Sequence, residues 1–468
     1  MVIAAWIAIG LLIASLPYWI PNAVIALRMR IFTRVNGEEG LGIPGDVVDA
    51  SLFMQVYSHP AANGRSRGAA LSDLFWYWLS PGPEMHQEHL EPGERYEEIA
   101  RTTRHILALS KKESEKLTAR CAARVMESLG TSKVSVVRLR DIMMPIWADF
   151  YYEVVFGESC SPAARELIVG NANDVVTALK GCGLRHMEKR TRLTRFLIYK
   201  LRTSGIPHAL PTSLSIEEQA FYLQGVFFNT AVVQMSEAMA HLLMVLAQHP
   251  EVQAKLARDL DDEAYLDRVI KETMRLYPLF GIAHRITSAD IPLDKGAPIR
   301  KGTVLCFDYP AYHRTGFDQP ERFDPDRWTN LSPREAHYIP FGVAANRPCP
   351  ASGLAPLTMQ VATREILKRF MVSSSASHTR SIPNRGPCLL VRRTGGRDPR
   401  PPRSLVLYLH VRDRWEDVLR SFVQLFLGTY MVWDARRLRL CGRIFEAQEK
   451  REHIAGAAPA RDTGCPIQ

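Results

Sequence analysis

The sequence predicts a mainly α-helical protein with a single N-terminal transmembrane helix. Residues 1–27 carry no charged side chain, Ser215–Gln248 is mostly apolar, and apolar residues recur at helical spacing from Leu354 to Phe370. No linker rich in glycine, serine or proline divides residues 40–390. We therefore expect one large helical domain behind the N-terminal helix.

The N-terminal stretch is long enough to span a bilayer. Arg28, Arg30 and Arg34 follow it and nothing basic precedes it, so the positive-inside rule predicts that the rest of the chain lies in the cytosol. A cleaved signal peptide fits poorly, because a basic beginning is missing and the apolar stretch is too long. Pro17 and Pro21 predict a kinked or partly interfacial anchor.

Charge and cysteine content narrow the possible partners and compartments. Lys and Arg number 59 against 49 Asp and Glu, giving a formal charge of +10. The excess is scattered and has no aromatic interleaving, which argues against nucleic acid and suits an anionic membrane surface or an acidic protein partner. The eight cysteines show no CxxC or other paired metal spacing, which is typical of a reducing compartment.

The long apolar stretch in the middle of the chain is predicted to be a buried core helix. Ser215 and Glu218 form a capping-box pattern at its start, and it stops before Pro250. Its polar residues Asn229, Gln234, Glu237 and His241 argue against a second membrane span.

Cys349 lies in the segment Phe341–Ala351, just before the predicted helix that ends near Phe370. Backbone N–H groups and the dipole of a following helix stabilise a thiolate, and Pro350 suits a first helical turn. Arg347 is placed to pair with an anionic group. The alternative for Cys349 is an inert buried thiol.

Two segments upstream argue against an inert buried thiol at Cys349. Glu272 and Arg275 stand three residues apart on one helix face, in Lys271–Pro278. Gln319–Trp328 is punctuated by prolines and adds a second arginine, Arg322. This order of Glu-x-x-Arg, Pro-Glu-Arg-Phe and a cysteine loop resembles the cytochrome P450 superfamily of haem-thiolate monooxygenases, over roughly residues 214–390.

The resemblance implies a cytochrome P450 fold, which is helical with small β-sheets, and a membrane-anchored, microsomal, fungal-like member. It also implies a cofactor, haem b, whose iron takes the Cys349 thiolate as its axial ligand. The other residues that the resemblance singles out are Glu272, Arg275 and Arg322 as a buried ion triad, and Arg347, Arg285 and Phe341 as contacts to the haem.

The implied activity is insertion of one oxygen atom from O2 into an apolar organic substrate, plausibly a terpenoid- or polyketide-like secondary metabolite. The implied partners are NADPH-cytochrome P450 reductase and, as an optional further donor, cytochrome b5, with no nucleic acid. The implied location is the endoplasmic reticulum membrane, crossed once, with the catalytic domain cytosolic. The alternatives are a thiolate-haem isomerase or dehydratase that needs no reductase, and a non-catalytic haem sensor or scaffold.

The chain departs from the family pattern at both faces of the expected haem. Ala345 and Ala351 stand where the family has glycines, and Phe341 is shifted by one position, so we expect a rebuilt cysteine loop. On the opposite side, Val233 and Gln234 replace the acid and the alcohol that help deliver protons.

Three explanations of the second departure stay open. A water held by Gln234, or a hydroxyl group of the substrate, completes the proton relay. Alternatively, Thr230 or Glu237 takes the role after a small helix bulge. The third explanation is chemistry without ordinary oxygen activation.

We divide the chain into an anchor (1–27), a catalytic domain (40–394), and a linker with an amphipathic extension of unknown role (395–468). The extension has an apolar face and is expected to dock on the catalytic domain or to lie on the membrane; a mispredicted gene end is the remaining possibility. Cys465 begins a formal prenylation box, but Pro466 and the existing anchor argue against its use.

Overall fold

The computed structural model describes residues 2–36, 40–65, 70–80, 85–86, 89–279, 281–294, 296–375, 387–393 and 401–457. The linker predicted to begin at residue 395 and the C-terminal Cys465 lie outside the described residues. Most described residues are helical, and the prediction of a mainly α-helical protein with small sheets is confirmed.

The α-helices form one main core and a C-terminal layer. In chain order they are α1 (Val2–Asn36), α2 (Phe53–Tyr57), α3 (Ala70–Leu79), α4 (Glu94–Ile106), α5 (Lys111–Ser128), α6 (Leu139–Phe156), α7 (Pro162–Leu179), α8 (Met187–Thr203), α9 (Ile216–Leu223), α10 (Val232–Gln248), α11 (Pro250–Arg258), α12 (Glu263–Leu276), α13 (Tyr309–Arg314), α14 (Leu354–Arg369), α15 (Arg403–Val423), α16 (Thr429–Leu438) and α17 (Leu440–Ala457).

Two three-stranded sheets flank the helices. The strands are β1 (Leu41–Ile43), β2 (Val134–Arg138), β3 (Ile282–Ile286), β4 (Val304–Asp308), β5 (Phe370–Ser374) and β6 (Pro387–Arg392). The first sheet has the order β1-β4-β3, in which β1 is parallel and β3 antiparallel to β4. The second has the order β2-β6-β5 and is antiparallel. Strands distant in sequence thereby meet, since β1 pairs with β4 and β2 pairs with β6.

The central helix runs from α9 through a π-helical segment, Gln224–Ala231, into α10. Its start has the predicted capping box between Ser215 and Glu218. The stretch is apolar enough to cross a membrane but is 78% buried, so it is the core helix that its polar residues predicted. A π segment widens the turn and re-aims side chains, and such segments occur frequently at functional sites.

A buried amide network holds the π segment in place. Asn171 Nδ2 donates to Asn229 Oδ1 at 2.5 Å, and Gln224 Nε2 donates to Asn171 Oδ1 at 3.0 Å. Thr194 Oγ1 donates to Gln224 Oε1 at 2.5 Å. Because a buried polar group left without a partner is costly, this network specifies how α7 and α8 pack on the central helix.

The C-terminal helices dock on α3 through polar contacts. Asp73 Oδ1 accepts hydrogen bonds from the backbone N–H groups of Cys441 and Gly442 at 2.9 and 3.1 Å, which caps the start of α17. Tyr77 Oη donates to Asp434 Oδ2 at 3.0 Å. The extension is therefore packed on the body of the protein by specific contacts.

Candidate functional site

Cys349 lies in a loop on the N-terminal side of α14. Its backbone N–H donates to the carbonyl oxygen of Phe341 at 2.9 Å, which closes the loop, and the residue is half-buried. The sequence predicted that the helix would begin at Pro350, but it begins at Leu354. Residues 350–353 form turns instead, in which the Ser352 N–H donates to the Cys349 carbonyl oxygen. Cys349 thus precedes the helix by several residues.

The cysteine loop contains two residues with left-handed backbone. Left-handed backbone occurs at Gly342 (φ +67°) and Arg347 (φ +49°). A Cβ atom at Gly342 would lie 3.1 Å from the Tyr57 hydroxyl, so glycine is needed there for space as well as for backbone freedom. A left-handed arginine is strained, and such strain is found most often at functional sites.

Three buried guanidinium groups converge beside this loop. Arg285 and Arg65 both donate to the single carbonyl oxygen of His284, Arg285 at 2.9 Å. Arg347 donates to Asn63, its Nε lying 2.8 Å from Oδ1. The exposed fractions of Arg65, Arg285 and Arg347 are 4%, 2% and 3%. Guanidinium groups form strong, charge-assisted hydrogen bonds with carboxylates, so the cluster suits a ligand with carboxylates.

Asn346 links the cluster to the start of the chain. Arg285 Nε donates to Asn346 Oδ1 at 3.2 Å, and Asn346 Nδ2 donates to the carbonyl oxygens of Tyr57 and Ala62. The cysteine loop, β3 and the segment around α2 are therefore held in one geometry.

Buried histidines line the same region. Burial, helped by Arg65, lowers the pKa of both His89 and His284 well below the usual value, so both rings are neutral. Among the described residues, His89 Nδ1 has no hydrogen-bond partner although the side chain is 7% exposed. An orphaned buried nitrogen beside buried guanidinium groups fits a polar ligand at this position.

A second charged cluster lies beneath the loop, centred on Glu272. Arg275 forms a bidentate pair with the Glu272 carboxylate at 2.8 and 2.9 Å, and both side chains are fully buried. The same carboxylate accepts from Arg327 Nε at 3.0 Å and from Trp328 Nε1 at 2.9 Å. Glu272 thus ties α12 to the loop that follows α13.

The prediction that Arg322 completes this cluster was wrong. The Arg322 side chain is exposed and donates to Gln319 Oε1 at 3.3 Å, while its carbonyl oxygen accepts from Arg275. The sequence holds two proline-acid-arginine-aromatic runs in tandem, at residues 320–323 and 325–328. The second run supplies the side chain, because a turn at Gln319 points the first arginine towards solvent.

The two arginines give a direct test of this correction. We expect Arg327→Ala to lower the free energy of unfolding by about 2 kcal/mol, since it removes a hydrogen bond to a buried carboxylate. Arg322→Ala should change the free energy of unfolding by less than about 0.5 kcal/mol, because the side chain is exposed. Urea unfolding midpoints of the two variants measure the difference, and the reverse order would contradict the correction.

His313 links α12 to the segment just before the cysteine loop. Its Nδ1 lies 3.2 Å from the carbonyl oxygen of Arg275, and the Ile339 N–H donates to its Nε2 at 3.0 Å. This pair of bonds needs a neutral ring with the proton on Nδ1. Burial lowers the pKa of His313 to about 3.

The burial of His313 predicts that the stability of the fold depends on pH. The folded pKa of His313 lies below the ordinary value of about 6.5, so the unfolded chain binds more protons between these two values. Stability is therefore greatest above about pH 6.5 and falls as the pH drops towards the folded pKa, by about 1.4 kcal/mol per pH unit for each such histidine. We expect His313→Asn to reduce the slope of unfolding free energy against pH by one proton. The same substitution at the exposed His105 should leave the slope unchanged, and an equal effect would count against His313.

The fold is that of known haem proteins. It superposes on a zebra fish cytochrome P450 solved with progesterone with a TM-score of 0.61, at 19% identity, covering 78% of this chain and 99% of that chain. For cytochrome P450 OleT solved with arachidonic acid the TM-score is 0.59, at 13% identity, covering 72% and 85%. A family model, Cytochrome P450, matches residues 196–397.

Residues 196–397 are thus similar to the cytochrome P450 superfamily. Cytochrome P450 3A13 of Mus musculus is 31% identical over 167 residues, which are 31% of this chain and 33% of that protein. The chain spans about a third of the length of the curated relatives it matches. Cytochrome P450 proteins carry haem ligated by cysteine.

The residues present fit that cofactor. Among the described residues, no group of three or more histidine, cysteine, aspartate or glutamate side chains is placed to hold a metal. A haem brings its own four nitrogen donors and requires only an axial ligand and partners for its carboxylates. The half-buried thiol of Cys349 and the guanidinium groups of Arg65, Arg285 and Arg347 are of the required kinds.

The residues predicted for the distal side lie on one face of the central helix. Thr230, Ala231 and Gln234 keep partial exposure, while most of the surrounding helix is buried. Residues at this spacing share a face, so they border an open space. Among the described residues, no partner engages the Gln234 or Thr230 side chain. Glu237, by contrast, is paired with Lys180 Nζ at 3.7 Å.

Sequence reasoning missed Arg65, His89, Asn346 and Arg327. Only Arg327 had a recognisable signal, the second of the tandem proline-acid-arginine-aromatic runs. Arg65 and His89 stand in segments with no motif, and folding alone brings them to the cysteine loop. Asn346 lies within that loop, but the loop pattern gave no sign of its hydrogen bonds to Arg285, Tyr57 and Ala62.

Proposed function

We propose that the protein is a haem-thiolate monooxygenase that inserts one oxygen atom from O2 into an apolar organic substrate. Cys349 is the axial ligand in this proposal. The observation that supports it most is the juxtaposition of a half-buried cysteine loop with three buried guanidinium groups, Arg65, Arg285 and Arg347. A thiol in an ordinary core needs no such cluster.

The guanidinium groups have a defined part in this proposal. A bound haem would present two carboxylates, and charge-assisted hydrogen bonds from Arg285 and Arg347 would stabilise them in a low-dielectric site. Arg65 shares the His284 carbonyl oxygen with Arg285 and adds a third cation. His89, neutral and with an orphaned Nδ1, is positioned as a further donor or acceptor.

Bound haem would supply the oxygen-activating iron, and its thiolate ligand donates electron density that favours O–O cleavage. The chain must then position protons on the opposite side. Gln234 has an amide that can both donate and accept, so it can orient a water, but it cannot change charge. Thr230, within the π segment, is the second candidate for this role.

The proposed substrate is a small apolar molecule, plausibly a terpenoid- or polyketide-like secondary metabolite. The open face of the central helix offers threonine, alanine and glutamine and no charged side chain. Solved proteins of the same fold hold progesterone and arachidonic acid, which are also largely apolar.

The proposed electron donor is a membrane-bound NADPH-cytochrome P450 reductase, with cytochrome b5 as an optional further donor. Helix α1 contains an 18-residue window with a mean hydropathy of 2.0 and no buried residue, which supports residues 1–27 as a membrane anchor. The same proposal places the protein in the endoplasmic reticulum membrane with its catalytic domain, residues 40–394, in the cytosol.

The decisive experiment measures turnover with and without a reductase. The purified protein is reduced under CO, and its spectrum is examined for the red-shifted Soret band of thiolate ligation. Candidate substrates are then incubated with reductase, NADPH and O2. Product formation that requires all three supports the monooxygenase. A haem protein that shows the band but consumes NADPH with none of the substrates, and is not altered by them, would overturn it in favour of a sensor or scaffold.

One observation favours a second function. Val233, which stands where the family has an acid, is buried and apolar, and Gln234 cannot supply a proton by changing charge. A thiolate-haem isomerase or dehydratase needs no such relay. Turnover of an oxygenated substrate without reductase or NADPH would identify it.

The role of Gln234 leads to a prediction for the monooxygenase. Gln234→Ala should lower product formation per NADPH by about a hundredfold, since it removes the group that orients the relay water. Gln234→Thr should retain much of the coupling because threonine also holds water. Product and peroxide are measured together. If Thr230→Val has the large effect and Gln234→Ala does not, Thr230 carries the relay.

A further inference from the structure

The C-terminal extension, residues 403–438, has an unusual distribution of side chains. Its inward face carries polar residues, among them Asp413, Arg420, Gln424 and Asp434, each less than 9% exposed. Gln424 Nε2 donates to the Lys180 carbonyl oxygen at 2.8 Å, and Asp413 accepts from Ser375. Apolar residues such as Leu409 and Met431 pack inward as well. The extension therefore docks on the body of the protein through polar as well as apolar side chains.

The outward face is apolar and aromatic. Eight side chains form it, with exposures from 39% to 68%. We name them the outer stripe: Leu407, Val411, Trp415, Leu419, Phe422, Phe426, Tyr430 and Trp433. Single exposed apolar residues are ordinary, but a contiguous patch of this kind marks an interaction surface.

The helix geometry keeps the outer stripe on one side. On an uninterrupted α-helix, residues 407 and 433 would be about 80° out of register, at about 100° per residue. The π-helical segment Gln424–Gly428 lies between α15 and α16 and has a wider turn, which reduces the rotation per residue. The stripe therefore stays aligned over its length.

Helix α1 lies beside this surface. Residues 2–14 are exposed, whereas the second half of α1 packs on the extension: Arg414 stacks 4.4 Å above the Tyr18 ring, and Phe32 packs against Met431 and Val432. Tyr18 and Trp19 point outward, with exposures of 66% and 49%. The apolar surface of α1 thus continues beside the outer stripe.

The length of α1 determines how deep in the membrane its contact with the extension lies. Residues 2–14 extend only about 20 Å at about 1.5 Å per residue, while the hydrocarbon core is about 30 Å thick. A span that starts near Val2 must include the stretch from Ser15 to Pro21, which is half-buried on the side towards the extension and keeps Tyr18 and Trp19 outward. The extension next to them is then at the membrane surface.

We propose that the outer stripe lies in the lipid bilayer interface, so that α1 and the C-terminal extension form one two-part membrane-binding surface. Tryptophan and tyrosine are enriched at this depth, and the stripe holds Trp415, Tyr430 and Trp433. Arg437 and Arg439, with side chains 58% and 56% exposed, follow the stripe and suit anionic headgroups. The inference rests on the proposed membrane anchoring of α1 but not on haem chemistry.

Lipid is preferred to a second copy of the chain as the occupant. The stripe is continuous with α1, a helix whose apolar window is 0% buried, and a copy covering the stripe would have to cover part of α1 as well. Most charged residues of the extension face the body or follow the stripe, and Arg412, whose side chain is 42% exposed, flanks it. This is the pattern of an interfacial helix, which keeps its charges out of the acyl region.

Tryptophan quenching by brominated phospholipid tests the proposal in the full chain. The starting protein is Trp6→Phe/Trp19→Phe, in which α1 carries no tryptophan, placed in phosphatidylcholine–phosphatidylserine vesicles. Brominated lipid should quench its emission through Trp415 and Trp433, because Trp76, Trp147 and Trp328 are buried and Trp78 is half-buried against the C-terminal helices. Adding Trp415→Phe/Trp433→Phe should remove most of that quenching. Absence of quenching in the starting protein would overturn the proposal.

Charge substitution on the stripe gives an independent measurement. Leu419→Glu/Phe426→Glu should reduce the quenching of Trp415 and Trp433, whereas Tyr199→Glu, an exposed aromatic position on α8, should leave it unchanged. Circular dichroism verifies that each variant is folded. If the glutamate pair leaves quenching unchanged but converts an oligomer into a monomer, a second copy covers the stripe and the proposal is wrong. The CO spectrum is unaffected by this outcome, so the test is separate from that of the haem-thiolate function.

Discussion

Replacing Cys349 with serine is expected to abolish the red-shifted Soret band of the reduced, CO-bound protein and all reductase-supported product formation. A serine hydroxyl is not deprotonated at neutral pH and is a harder, weaker ligand for iron, whereas a thiolate donates electron density to it. The substitution is small, and the backbone bond from the Cys349 N–H to the Phe341 carbonyl oxygen does not involve the side chain. The fold should therefore survive.

The matched control is Cys182→Ser, a half-buried thiol in the loop after α7. It should retain the Soret band and turnover. Spectra of both variants and of the parent are recorded beside circular dichroism. If Cys349→Ser keeps the band while Cys182→Ser loses it, the ligand assignment is wrong. If neither variant changes the spectrum, a different cysteine or no cysteine binds the iron.

Glu272→Gln is expected to be the most destabilising single substitution predicted here. The Glu272 carboxylate is fully buried and accepts from Arg275, Arg327, Trp328 and the Asp324 backbone. An amide cannot accept at both of its ends, and Arg275 would be left as an uncompensated buried charge. Breaking a buried pair in this way costs about 3–5 kcal/mol. That is a large part of the typical stability of about 5–15 kcal/mol, so haem retention should fall with it.

An exposed carboxylate offers the same substitution as a control. Glu321→Gln removes a surface pair with Arg314, in which the glutamate side chain is 70% exposed, and should change stability by less than about 1 kcal/mol. Urea midpoints and haem content per folded protein measure both variants. A Glu272→Gln protein as stable as Glu321→Gln would show that the buried cluster contributes little to the fold.

The Glu272 cluster shows which contacts the local sequence pattern could predict and which it could not. Glu272 and Arg275 are three residues apart on one helix, so their pairing follows from helix geometry alone. The third partner comes from a loop 55 residues away, and two arginines there stood in nearly identical local sequence. The choice between Arg322 and Arg327 depends on a left-handed turn at Gln319, which no local pattern indicated.

The distal side likewise combines features that the sequence predicted with features that only the tertiary structure decided. The apolar character and the capping box of Ser215 predicted a buried helix, and the polar residues on it were enough to reject a membrane span. That Thr230, Ala231 and Gln234 border an open space, while Glu237 pairs with Lys180, depends on the π segment and on what packs against each face. A hydrogen-bonding shift of one residue is invisible to periodicity.

Local chemistry was sufficient for the helical class, the N-terminal apolar helix, the cysteine loop and the pairing on α12, because each depends on residues within a few turns of one another. Tertiary structure alone brought Arg65 and His89 to the cysteine loop and selected Arg327 over Arg322. It also turned the polar side of the C-terminal extension inward and its aromatic stripe outward. These outcomes depend on contacts between residues tens to hundreds of positions apart, where burial and the need to pair every buried charge decide which of several similar side chains is used.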